Sequence, residues 1–88
     1  MKTNFQMIRE LNKKYNPQEK GFVSKEEIVL IKDMLSLEEM DILQLRNLRD
    51  FTVLYFSSFK EKEIDSLDKM SAITAVIDNE IFNKGGEV

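Results

Sequence analysis

The 88-residue chain predicts an all-α fold, a compact bundle of about four helices with antiparallel neighbours. Three observations carry this. Neither proline nor glycine interrupts the chain between Phe22 and Lys84, and strand-joining turns draw on those residues. Apolar residues recur at three- and four-residue spacing along successive segments, the period of a helix face. Two Ser-x-x-Glu signatures, each with flanking apolar residues in the right places, mark helix starts.

The first helix is expected over 4–15. Phe5, Ile8, Leu11 and Tyr15 fall on one side of it. Asn16-Pro17 ends it, because the residue before a proline avoids helical backbone. The segment 17–23 then reads as a loop, with Gly21 free to turn left-handed.

The second helix is expected over 25–35. Ser24 and Glu27 form a capping box, with Val23 and Ile28 in the positions of a hydrophobic staple. Its stripe is Ile28, Ile31 and Leu35, widened by Val29, Leu30 and Met34. The third helix is expected over 37–58 on the same grounds. Ser36 and Glu39 form a second box, and Leu35 and Met40 a second staple. The corner between these two helices is therefore sharp.

The third helix carries a wide apolar arc. Leu37, Met40, Leu43, Leu45, Leu48, Phe51, Leu54, Tyr55, Phe56 and Phe59 cover more than half its circumference. A surface helix shows a narrower stripe. This one is expected to be central, covered by several neighbours or by a second subunit. A continuous coiled coil into the next segment fails at Asp41, Gln44, Ser58, Lys62 and Asp65, so a turn falls within 58–64. Ser58 with Glu61 offers a third box there, without a staple. The last helix is expected over 64–83, with Leu67, Met70, Ile73, Ile77 and Ile81 facing the core. Lys84 suits its C-terminal dipole and Gly85 its cap.

The length allows one domain, 1–88, and one core. Hydrophobic residues at 42% and charged residues at 33% make a globular composition. No apolar run suits a signal peptide or a membrane span, and no cysteine suggests a disulfide framework, so a cytoplasmic, membrane-free protein is expected. The Trp-free composition, rich in Lys, Ile, Asn and Glu, points to an AT-rich bacterial or phage genome.

Chemistry is scarce. Histidine and cysteine are both absent, which removes the commonest zinc ligands, the commonest general base and the strongest nucleophile. No phosphate-binding glycine loop exists. The loop at 16–24 is too poor in acids for an EF-hand. The acidic clusters stand mostly at helix starts, where they complement the dipole. No catalytic, cofactor or metal residue is expected, and no enzyme.

Two binding readings remain. The net charge of −3 divides unevenly: residues 1–25 carry six cations and two anions, the rest seven and fourteen. A basic first helix either docks on the acidic remainder or offers Arg9, Lys13 and Lys14, with Lys20 nearby, to nucleic acid. A helix-turn-helix built from the second and third helices is disfavoured, because Glu38, Glu39 and Asp41 would face the phosphates. The leading reading is a non-enzymatic protein-interaction module, regulatory or inhibitory, with a possible homodimer and a protein partner of unknown identity. Its surface is placed at Ile42, Arg46, Arg49 and Val53, where apolar residues stand within the polar side of the third helix. Val76 and Phe82, off the main stripe of the last helix, extend the candidates. With the small acidic helical bundles that act as immunity proteins, antirepressors and inhibitors the chain shares only its class.

Overall fold

Residues 2–19, 21–58 and 64–86 are described by a computed structural model. It contains four α-helices: α1 (Asn4–Lys14), α2 (Lys25–Leu35), α3 (Ile42–Ser57) and α4 (Ile64–Asn83). A single 3₁₀ turn, Leu37–Glu39, joins α2 to α3. The all-α bundle is thus as the sequence predicts. The turn expected within 58–64 falls mostly on 59–63, outside the described residues, as does Glu61 of the third box; Ser58, its other half, closes α3, its hydroxyl donating to the Tyr55 carbonyl at 2.8 Å.

α1 starts one residue after Thr3, which forms a capping box with Gln6. The Gln6 amide donates to Thr3 Oγ1 (3.2 Å) and the Thr3 amide to Gln6 Oε1 (2.9 Å). The helix stops where Tyr15 turns extended, ahead of Pro17. Gly21, at φ 78°, lets Glu19 and Phe22 pair across the tight turn that follows.

α2 begins where its first box predicts, but the box closes differently. Ser24 Oγ accepts from the Glu27 amide at 3.2 Å. The Glu27 carboxylate turns inward instead of reaching back to the Ser24 backbone. Its Oε2 accepts from the Tyr15 hydroxyl at 2.5 Å, and its Oε1 from the Ser24 hydroxyl at 3.3 Å. Glu27 is 5% exposed and Tyr15 is buried. Burial, then the carboxylate held against its hydroxyl, push the Tyr15 phenol well above its ordinary pKa. One hydrogen bond thus ties the end of α1 to the start of α2.

The second box does not form, and α3 starts at Ile42 rather than 37. Ser36 lies in the left-handed region at φ 53° and its side chain caps nothing. It ends α2, its amide donating to the Asp33 carbonyl at 3.2 Å. An N-cap needs extended backbone, so Ser36 cannot serve both helices. The cap of α3 is Asp41: its Oδ1 accepts from the Gln44 amide at 2.8 Å, and Gln44 Oε1 accepts from the Asp41 amide at 3.0 Å. Met40 and Leu45 then hold the staple positions. Leu37 is drawn into the core by the intervening turn.

α3 and α4 form the main antiparallel pair. Arg49 Nη1 meets Asp78 Oδ1 at 3.1 Å midway along. At the end, the Lys84 ammonium donates to the carbonyls of Glu38 (2.9 Å) and Met40. Lys84 therefore ties α4 to the 3₁₀ turn as well as suiting its own helix end. α4 closes with a Schellman motif: Gly86 N–H donates to Ile81 O (2.9 Å) and Gly85 N–H to Phe82 O (3.0 Å), with Gly85 at φ 88°. Gly86 also has no room for a side chain, since a Cβ would stand 2.6 Å from Ile81 Cγ2 and 3.4 Å from Ile42 Cγ2.

The core runs from Met7, Ile8, Leu11 and Tyr15 through Ile31, Leu35 and Leu37 to Leu45, Leu48, Phe56, Ile73, Val76, Ile77 and Ile81. Each such aliphatic burial contributes about 1.5–3 kcal/mol. α1 docks through these apolar residues and through the Lys69 ammonium, which donates to the Asn12 carbonyl at 2.9 Å. Arg9, Lys13 and Lys14 are exposed. Packing, rather than their charge, seats the helix.

Candidate interaction surface

The wide apolar arc of α3 is only partly covered. Its inner side presents Leu45, Leu48, Thr52 and Phe56, all buried. Thr52 hides its hydroxyl by donating to the Leu48 carbonyl at 2.7 Å. Its outer side retains Leu43 at 67% and Leu54 at 69% exposure. Eleven residues separate them, three helical turns, so they point the same way about 16 Å apart. Asn47 and Asp50 lie between them on the same face and are exposed. A half-buried aromatic edge adjoins it: Phe51 beside Tyr55 (ring centroids 6.2 Å) and Phe5 of α1 edge-on to Tyr55 (5.9 Å).

The sector expected from sequence lies next to this face and is built differently from end to end. Ile42 is half-buried against the core, with Gly86 close by. Arg49 is engaged by Asp78 and stands 3.7 Å from Asp50 Oδ1. Arg46 is half-buried and has interactions of its own. Val53 is 41% exposed. The four residues share one flank of α3, along its seam with α4. On α4, Val76 is buried in the core and Phe82 is exposed.

Leu43 and Leu54 were hidden from sequence reasoning because the arc treated them as core. A signal did exist. The spacing 43, 47, 50, 54 runs four, three, four, the spacing of a helix seam. Asn47 and Asp50 at its centre masked it.

Concave regions also occur among the described residues, and one of them borders this face at Asn47. A cleft of 650 Å³ opens between α1, the end of α2 and the start of α3, floored by Met7, Met34 and Met40. Lys2 and Lys14 stand on its rim opposite Asp33 and Glu39. Methionines give such a floor an adaptable shape. A smaller cleft of 340 Å³ lies between the 17–23 loop and α4, beside Phe22 and Ala75.

The basic candidates are not gathered into a clean patch. Glu10 lies among Arg9, Lys13 and Lys14 on α1 and pairs with Lys2 at 2.6 Å. Lys2, with help from Lys14 and Lys13, holds its carboxyl below the usual range. Lys13 and Lys14 occupy the last turn of α1, where cations complement the dipole. Lys20 lies outside the described residues. Among the described residues no three His, Cys, Asp or Glu side chains are grouped to hold a metal, and no helix is long and apolar enough to cross a membrane.

Comparison of the chain with protein-family models, with curated proteins and with solved structures finds no match.

Proposed function

We propose that the protein is a non-enzymatic interaction module of the cytoplasm, regulatory or inhibitory, that offers the outer face of α3 to a protein partner. The observation that carries this reading is the pair Leu43 and Leu54, exposed together on one face of a helix whose opposite side is buried. Single exposed leucines are unremarkable on a protein surface. Two on one face, three turns apart and beside a half-buried aromatic edge, are anchors for a second helix. The partner's apolar side chains close over both leucines, and Phe51, Val53 and the arginines form the rim. The face sits on a rigid scaffold, since the opposite side of α3 is locked in the core. Binding then demands little rearrangement.

The test is capture from a lysate of the source organism, with nuclease and high salt in every wash. A specific protein that is retained by the wild type and lost with Leu43→Glu/Leu54→Glu supports the reading. Capture unchanged by the double substitution rejects it. A second reading, nucleic-acid association through Arg9, Lys13 and Lys14, is favoured by their exposure and weakened by Glu10 in their midst. It requires binding that falls steeply with salt and disappears when the three charges are removed.

A further inference from the structure

We infer that the protein pairs with a second copy of itself through antiparallel packing of the two α3 helices about a two-fold axis. The inference rests on the outer face of α3 being an interaction surface, and it names the occupant and the geometry. Leu43, Asn47, Asp50 and Leu54 form a seam with four-three-four spacing, the alternation of core positions in a helix pair. All four are exposed.

The seam is self-complementary in one direction only. Reversing α3 about a point between Leu48 and Arg49 places Leu43 opposite Leu54 of the second copy, and Asn47 opposite Asp50. Each end is then closed by two leucines. Each central pair sets an amide donor against a carboxylate acceptor. Parallel packing in register sets Asp50 against Asp50, two carboxylates in a half-dry seam with only each chain's own Arg49 beside them. A polar pair in the core of a helix pair selects orientation at some expense of stability. A residue pattern that matches itself on reversal is what a two-fold interface requires.

The flanks agree with this arrangement. Arg46 and Val53 lie on one edge of the seam, Gln44 and Phe51 on the other. Reversal brings the Arg46 stem over Val53 of the second copy, and Gln44 beside Phe51. α4 packs on the inner side of α3, while α1 flanks the Gln44–Phe51 edge, touching Tyr55 through Phe5 and facing Gln44 and Asn47 across the cleft, so the seam is open from the Arg46–Val53 side. The helix is about 24 Å long, so the contact is smaller than the roughly 800 Å² per partner of a standard interface. The dimer is therefore weak and reversible.

Because the chain contains no cysteine, single introduced cysteines report the pairing directly. Chains carrying Leu43→Cys are mixed with chains carrying Leu54→Cys and oxidised, and each is also oxidised alone. A disulfide needs Cα atoms within about 7 Å. In the antiparallel pair two copies of position 43 lie about 16 Å apart along the axis. The expected result is a covalent dimer between unlike chains and little from either chain alone. In parallel, sedimentation from micromolar to millimolar concentration shows a monomer–dimer equilibrium that Leu43→Glu/Leu54→Glu weakens about 100-fold, the loss of two anchor residues. Cross-links between like chains overturn the orientation. A protein that stays monomeric at millimolar concentration overturns self-pairing, while salt-resistant capture lost in the Leu43→Glu/Leu54→Glu chain would still uphold the interaction surface for a different partner. If the glutamate variant loses helicity, the cysteine mixture decides alone, since its substitutions add no charge.

Discussion

Leu48 and Leu54 stand six residues apart in the same helix and have opposite surroundings. Leu48 is fully buried against α4, whereas Leu54 is 69% exposed. The same division separates Leu45 from Leu43. The inner pair contributes to the stability of the fold, and the outer pair is free to contribute to association. Residue type alone does not distinguish them; helix phase and the position of α4 do.

The sharpest way to break this comparison is to truncate both classes. Leu48→Ala should cost about 2–5 kcal/mol, the range for a core leucine that leaves a cavity. In a domain of this size that lowers Tm by roughly 10 °C or more, read by thermal melting. Leu54→Ala should leave Tm nearly unchanged. Comparable losses at the two sites would mean that the outer face is core.

The next effect belongs to the buried pair that joins α1 to α2. Tyr15→Phe removes the donor to a Glu27 carboxylate that is almost wholly buried. The loss should be about 1–3 kcal/mol by denaturant titration. The sign of the pH dependence follows from the raised Tyr15 pKa. The folded state holds the phenol proton more tightly than the unfolded state, so the stabilisation is full below the ordinary phenol value of about 10. It is lost progressively as pH climbs above that value. Tyr15→Phe should flatten this alkaline decline, and an unchanged profile would remove Tyr15 as its cause.

Smaller still is the contrast between the two candidate caps of α3. Asp41→Ala should cost about 1 kcal/mol, because Asp41 caps the helix. Ser36→Gly should instead stabilise by about 0.5–1 kcal/mol, since glycine accepts the left-handed backbone without strain. If Ser36→Ala proved as harmful as Asp41→Ala, the 3₁₀ turn between them would be misplaced. Both are read by thermal or denaturant melts.

These contrasts also show where the sequence was legible. The bounds of α2 and the end of α4 follow from local signals: a Ser24 cap, an apolar stripe and the glycine pair after Lys84. The start of α3 does not, because Ser36-x-x-Glu39 and Asp41-x-x-Gln44 compete within nine residues. The winner is set by tertiary demand, as Leu37 must enter the core and Ser36 must close α2. Glu27 could be read as a capping residue, but its bond to Tyr15 depends on α1 folding back over α2. The exposed face was missed for the same reason. The arc of α3 shows which residues are apolar, and only the positions of α1 and α4 show which part of it stays uncovered. Phe5 and Leu67 lie on predicted core stripes and are exposed, while Met7 and Val76 lie off them and are buried.

The most direct test is sedimentation and thermal melting on one preparation of Leu43→Glu/Leu54→Glu beside the wild type. The account predicts that association is lost while Tm stays within a few degrees. Loss of association together with a collapse in Tm would return both leucines to the core and contradict the interaction surface.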